Sequence, residues 1–191
     1  MTASTYATPM PLTQYYTATT LDGFIADPSD SLEWLFTRDQ DHEGSLNYRA
    51  FIADVGALAM GSTTYEWILD HEFADKDPAD WKWPYEIPCW VFTHRGLRDV
   101  PDASVEFTSD PVETVHARMV EAAGGKNVWL VGGGDLVGQF ADVGLLDEVI
   151  VYVAPVTLGA GKPLLPRHVE LRLEETARNG DFVTVRYSVA R

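Results

Sequence analysis

Cysteine is nearly absent. Cys89 is the single one in a chain of 191 residues, so no intrachain disulfide can form, and a reducing compartment suits the sequence. Basic residues are scarce as well: Lys and Arg total 14 against 29 Asp and Glu, for a formal net charge of -15. Non-specific nucleic-acid binding needs clustered cations to neutralise phosphates, and the composition argues against that class. A small phosphorylated ligand is still admitted, because a few local cations outweigh a diffuse field. Long apolar runs are missing too. EVIVYVAPV (148–156) is among the longest, and a proline interrupts it, far short of a membrane span. The opening MTASTYATPMPLT has neither the basic cluster nor the apolar core of a secretory leader. With no internal repeat, low-complexity tract or convincing linker, the expectation is one cytoplasmic domain over 1–191, with no nucleic-acid or membrane partner.

What is present is clearest in the second half. SVEFT (104–108) reads as a strand. Asp110 then predicts an N-cap, with Pro111 in the first helical position and Glu113 completing a capping box. Val112, Val115 and Met119 share one helical face, and Gly124 and Gly125 end the helix. VWLV (128–131) is apolar without alternation, as in a strand covered on both faces. A glycine triplet follows, then a short helix with Leu136, Val137 and Phe140 inward, then the strand EVIVYVAPV. Strands alternating with helices predict right-handed crossovers in a parallel sheet. The C-terminus departs from this: LRLEETA and FVTVRYSVA flank Asn179-Gly180, a hairpin signal. Val183, Val185, Tyr187 and Val189 alternate with Thr184, Arg186 and Ser188, which predicts one buried face. The first half supplies the strands QYYTATT, GALAMG and PCWVFT and a helix near Ser45–Asp54. The acidic, Trp-bearing stretch 70–88 reads as a long surface loop with some helix at its start.

Three strand ends could carry chemistry. A buried strand that runs through Val131 into Gly132, Gly133 and Gly134, and opens a helix at Asp135 and Leu136, presents free backbone N–H groups and a positive dipole end. A tight turn explains three glycines equally well, and the dinucleotide fingerprint is not matched. GALAMG ends at Gly61 and runs into Ser62, Thr63 and Thr64, either ordinary caps or phosphate contacts. PCWVFT ends at Thr93, His94 and Arg95, and Arg is well shaped for phosphate. Together the three would form one crevice at the carboxyl edge of the sheet, where open α/β sheets bind nucleotides.

The segments TATTLDGFIA (17–26), GALAMGSTTYEWI (56–68) and NVWLVGGGDLVGQFADVGLLDEVIVYVAPVTLGAGKPLL (127–165) resemble the dihydrofolate reductase-like superfamily. Within it they are most similar to the C-terminal reductase domain of bacterial riboflavin-biosynthesis deaminase-reductases. The resemblance covers nearly the whole chain. It implies a three-layer α/β fold: a central, mostly parallel mixed sheet, helices on both faces, and an antiparallel C-terminal hairpin. It further implies an NADPH-dependent reductase of a small heterocyclic, pyrimidine- or pterin-like substrate, such as 5-amino-6-(5-phosphoribosylamino)uracil. Alternatives are a dihydrofolate or pterin reductase and a non-catalytic NADPH-binding sensor or interaction module.

Carried over by position, the resemblance sets Val131 and Gly132–Gly134 against the pyrophosphate with Asp135 and Leu136. It sets Gly61 and Ser62–Thr64 on the adenosine side, Thr93–Arg95 near the 2′-phosphate, and Ala18 by the nicotinamide. Asp22, Gly23 and Trp34 fall by the substrate. Asp22 is the first candidate for proton transfer, with Glu43 behind it; folate reductases carry a carboxylate where this chain has Ser45. The pocket is expected between LDGFIA and the Ser31–Tyr48 segment. Asp39, Asp41, His42 and Glu43 match no zinc or calcium spacing, so no metal is expected. Trp81 and Trp83 either cover the substrate or pack their loop onto the domain. The family leans toward homodimers.

Overall fold

The computed structural model describes residues 11–77 and 80–190. Most of the segment assessed as a leader (1–10) lies outside the described residues. No described helix is long and apolar enough to cross a membrane.

Among the described residues, ten strands and five helices follow in chain order: β1 (Thr13–Thr20), β2 (Phe24–Ala26), α1 (Glu33–Phe36), α2 (Tyr48–Ala53), β3 (Val55–Gly61), α3 (Ser62–Phe73), β4 (Cys89–Phe92), β5 (Val105–Thr108), α4 (Val112–Ala122), β6 (Asn127–Gly132), α5 (Gly134–Asp142), β7 (Glu148–Ala154), β8 (Lys162–Pro163), β9 (Leu171–Asn179) and β10 (Phe182–Val189). Eight strands form one sheet in the order β5-β4-β3-β6-β1-β7-β10-β9. β5 through β7 run parallel, and β10 pairs antiparallel with both β7 and β9. β2 and β8 form a separate two-stranded ribbon.

The sheet is covered on both sides, so its central strands read as apolar runs without alternation. β3 is buried over its first six residues. One face packs against Tyr65, Ile68, Leu69 and Phe73 of α3 and the half-buried Phe51 and Ile52 of α2. The other packs against Val115 and Met119 of α4 and Val137 and Phe140 of α5. Each such fully buried side chain stabilises the fold by roughly 1.5–3 kcal/mol. This is the three-layer α/β arrangement that the resemblance implies.

Three local expectations need correction. Asp110 does not cap α4: Pro111 stands at the N-cap with extended ψ of 144°, the helix begins at Val112, and no side chain caps it. The Asp110 carboxylate instead pairs with Arg118 at 3.2 Å, so the capping box with Glu113 is not formed. The alternation along β10 is inverted at its start. Phe182 and Thr184 are buried, whereas Val183 is 55% exposed. Val183 sits beside Val153 of β7; Val185 further along is buried. The helix expected near 45–54 is shorter, Tyr48–Ala53, because the Asn47 side chain accepts the Ala50 N–H at 2.8 Å and fixes its start there. In the 70–88 stretch, Trp81 stacks on Phe73 with centroids 5.1 Å apart and Trp83 is buried against Tyr65. Both rings pack the connection onto the domain.

The turn between β1 and β2 is held from outside the sheet. Asp22 accepts hydrogen bonds from the Thr20 hydroxyl at 2.6 Å and from the Leu158 and Gly159 amides at 3.0 and 2.7 Å. These contacts, the Thr20 hydroxyl first, hold the Asp22 carboxyl below the usual carboxylate range. A depressed folded-state pKa adds stability above the unfolded value, about 3.9, and the addition disappears as pH falls through the folded value. Asp22→Asn therefore melts below the wild type at pH 7, and the gap closes as both are taken into strong acid. Thermal melts across that range check this; a gap that stays constant with pH would show that the carboxylate charge contributes nothing.

Candidate functional site

Five parallel strands end on one side of the sheet, and their ends border one cleft of about 1210 Å³. Ala18 lies in the half-buried part of β1, Gly61 ends β3, Thr93 follows β4, Thr108 ends β5 and Val131 lies at the end of β6; all line the cleft. Strand order reverses here, since β6 lies between β3 and β1 although it follows β5 in the chain. That is the topological crevice where α/β sheets take ligands.

Two helices start on this wall. α3 has Gly61 and α5 has Gly133 as N-cap, and neither cap carries a side-chain hydrogen bond. Their first-turn N–H groups therefore lack the usual side-chain acceptor, and both macrodipoles bring positive potential to the cleft. An anionic group is the ligand such a wall suits.

The glycine triplet has a different reason at each position. Gly132 has φ of +133°, a conformation that side chains rarely adopt. Gly134 is packed shut: a Cβ there would run into the carbonyl oxygens of Pro163 and Leu164. Gly133 has neither constraint. Its φ of -70° suits any residue, and a Cβ would meet nothing closer than Ile25 Cδ1 at 4.0 Å. The bare backbone at Gly133 leaves room on the cleft side for a close ligand. Turn geometry and ligand approach thus divide the triplet between them.

Arg95 stands across the cleft. Its Nη2 donates to the Ser62 hydroxyl at 2.9 Å and pairs with Glu66 at 2.7 Å. The Arg95 N–H donates to Thr93 Oγ1 at 2.9 Å, which fixes the turn after β4. Asp135, on the first turn of α5, is held by Arg167 at 2.9 Å.

All the residues expected to border the cofactor line this cleft: Ala18, Gly61, Ser62, Thr63, Thr64, Thr93, His94, Arg95, Val131, Gly132, Gly133, Gly134, Asp135 and Leu136. The structure does not bring the expected substrate residues with them. Asp22 faces the 158–159 backbone. Gly23, with φ of +84°, serves the turn, and its carbonyl accepts the Leu164 N–H at 2.9 Å. Trp34 is 9% exposed within the α3-side core. Glu43 pairs with Arg49 at 2.9 Å on the exposed surface. None of the four lines the cleft. Of LDGFIA only Ile25 and Ala26 do so, whereas the Ser31–Tyr48 segment contributes Leu32, Leu35, Phe36, Arg38 and Tyr48 among others.

Part of the cleft wall is aromatic, and the sequence pattern does not reveal most of it. Trp129 lies there with Tyr48 and Tyr85 edge-on at 5.8 and 5.7 Å. Tyr16 and Tyr152 both donate their hydroxyls to the Leu46 carbonyl, at 3.1 and 2.8 Å. The Tyr48 and Tyr85 hydroxyls make no hydrogen bond among the described residues, and burial pushes both above the ordinary tyrosine range. Tyr48 sits on the anticipated helix; Tyr85 comes from the long connection, where no periodicity marks it.

Comparison with known proteins agrees with this geometry. The model of the RibD C-terminal domain matches residues 11–184. The Bacillus subtilis (strain 168) protein YwjB is 34% identical over 181 residues, 92% of this chain and 96% of its own. The solved structure of a protein assigned to riboflavin biosynthesis in Shewanella sp. PV-4 superposes with a TM-score of 0.76 at 24% identity, covering 94% of this chain and 99% of that one. Dihydrofolate reductase from Enterococcus faecalis, solved with NADP(H), gives a TM-score of 0.56 at 12% identity, over 94% and 97% of the two chains. From its match along nearly the whole length, this chain belongs to the RibD C-terminal domain family, on the dihydrofolate reductase-like fold.

Proposed function

We propose that the protein is an NADPH-dependent reductase of a small, planar heterocyclic substrate. One observation carries the reading: two helix starts without side-chain caps, the open backbone at Gly133 and Arg95 all line a single cleft that aromatic side chains line as well. The family and fold support it.

On this reading the α5 start at Gly133–Asp135 and the α3 start at Ser62–Thr64 hold the pyrophosphate through backbone N–H groups and hydroxyls. Arg95, with Thr93 and His94, takes the 2′-phosphate. The bound cofactor supplies a hydride. The chain's residues orient the substrate ring against Trp129, keep water out and hold the accompanying proton. Asp22 and Glu43 lie off the cleft, so that proton falls to a tyrosine. Tyr48 is the better placed, with its hydroxyl unpartnered on the cleft wall. A tyrosine hydroxyl is protonated at neutral pH and can donate. A substrate like 5-amino-6-(5-phosphoribosylamino)uracil fits this end by its flat ring and polar substituents.

Titrating the protein with NADPH and with NADH, and following tryptophan emission from Trp129, tests the cofactor site. Saturation with a preference for NADPH is expected, and Arg95→Ala should weaken NADPH by about tenfold while leaving NADH little changed. Absence of saturation with either nucleotide overturns the reading. The two flanking glycines give a sharper contrast. Gly133→Val should cut NADPH affinity about tenfold or more with the melting temperature unchanged. Gly134→Ala should lower the melting temperature, because its methyl has no room.

Tyr48→Phe should lower kcat for cofactor-dependent reduction about a hundredfold with NADPH affinity unchanged, measured as NADPH consumption with 5-amino-6-(5-phosphoribosylamino)uracil. An unchanged kcat would assign the proton to solvent.

A further inference from the structure

Asn179 ends β9 at the tip of the C-terminal hairpin, a place that solvent ordinarily reaches, yet it is 1% exposed. What covers it is the irregular segment between α1 and α2. The Asn179 carboxamide pairs with the Asp41 backbone as one strand residue pairs with another. Its Oδ1 accepts the Asp41 N–H at 2.9 Å, and its Nδ2 donates to the Asp41 carbonyl at 2.9 Å. Nδ2 also meets the Ser45 carbonyl and the Tyr152 hydroxyl, both at 3.3 Å. The Tyr152 hydroxyl in turn donates to the Leu46 carbonyl at 2.8 Å, which accepts the Tyr16 hydroxyl as well, at 3.1 Å.

The residues beside Asn179 close the same seam. Asp181 accepts the Asp39 N–H at 3.0 Å and donates its own N–H to the Asp39 carbonyl at 2.9 Å. A Cβ on Gly180, whose φ is +58°, would run into that Asp39 carbonyl, and a Cβ on Gly44 would meet Asn179 Nδ2 at 2.7 Å. Residues 39–46 belong to no helix or strand, so the hairpin tip supplies the partners that a ladder would otherwise give them. The segment matters to the cleft. Asp39, Gln40 and His42 line it, and so does Tyr48, which opens α2 directly after the held stretch. Asn179 itself does not line the cleft, so its effect there is carried by the segment it holds.

We propose that Asn179 is a positioning residue of the cleft: through Asp41, Ser45 and Tyr152 its carboxamide sets the backbone of 39–46, and with it the placement of Tyr48 against Trp129. Holding the N–H and the carbonyl of one residue together needs both a donor and an acceptor at the tip of the side chain. An ionised aspartate, of nearly the same shape, offers acceptors alone. The link to turnover rests on the reading of the cleft as a reductase site; the hold on the segment does not.

The test compares Asn179→Asp with Val185→Ala, which removes buried surface from the same hairpin and leaves these bonds in place. Hydrogen exchange of the full chain without ligand is the first readout. At about pH 8, Asn179→Asp should exchange its 39–48 amides about tenfold faster than wild type, on the scale of one lost hydrogen bond. The amides of β1, β6 and β7 should keep their wild-type rates. Taking both proteins to about pH 5 should close the gap, because a carboxyl group buried among carbonyls protonates above its usual range and regains a donor. Simple loss of fold stability has no such rescue. The second readout is NADPH consumption with 5-amino-6-(5-phosphoribosylamino)uracil. There kcat should fall about tenfold in Asn179→Asp with the KM for NADPH unchanged, and its ratio to wild type should recover with pH alongside the exchange. Val185→Ala should lower the melting temperature and reproduce neither pattern. Gly44→Ala, which crowds Nδ2 from the other side of the seam, should loosen the same amides and serves if Asn179→Asp does not fold. Wild-type exchange in both variants, a rise spread evenly over the sheet, a gap that pH does not close, or local loosening with kcat intact overturns the proposal. A wild type that binds or consumes no NADPH sinks the reductase reading, while the exchange pattern still decides whether Asn179 holds the segment.

Discussion

The start of α5 is seated directly on β8, and the geometry of the cleft follows from that contact. No side chain fits at Gly134, because the Pro163 and Leu164 carbonyls occupy the space. The same Leu164 carbonyl accepts the Tyr15 hydroxyl from β1 at 3.1 Å, and the Leu164 amide donates to Gly23 at 2.9 Å. One short segment therefore locks together the first strand, the turn after it and the helix that opens the glycine-lined wall. β8 in turn pairs with β2, which brings Ile25 and Ala26 to the rim. Interiors packed to this density transmit displacement with little slack, so the wall is placed by the core and not by the loops at its edge.

Charge is organised around the same cleft by exception. The chain is acidic overall, and most of its arginines are tied to carboxylates on exposed surface, where such pairs contribute about 0–1 kcal/mol each. Their role is to remove loose positive charge from the surface. At the cleft itself, positive potential comes from the two helix starts, at Gly61 and Gly133. A protein that would repel anions at a distance thus keeps a small, sheltered region that attracts them.

Much of this architecture is legible in the sequence. The parallel strands show as apolar runs without alternation, and the C-terminal hairpin shows through Asn179-Gly180. The glycine-lined wall of the cleft is built from strand ends and helix starts, which are local in sequence, so Gly61–Thr64, Thr93–Arg95 and Gly132–Leu136 can be grouped from residue pattern alone. The aromatic wall is not legible. Tyr16, Arg38, Tyr48, Tyr85, Trp129 and Tyr152 come from strands, a short helix and two irregular connections. Only the long-range packing brings them together, and no spacing rule records that. Asp22 shows the opposite failure. An aspartate before a glycine beside the expected pocket has the look of a chemical group, but its oxygens are directed to amides 136 and 137 residues away in sequence.

Glu66 occupies Arg95 in this structure, and that pairing makes ligand capture an exchange reaction. A phosphate arriving at Arg95 must dislodge a carboxylate already bound there, so the free energy of recognition is the difference between two ion pairs. Added salt weakens both members of that difference. Affinity for an anion at this corner of the cleft should consequently vary with ionic strength less steeply than a naked arginine would make it, and when the anion departs Arg95 finds its replacement counter-ion, Glu66, waiting on α3.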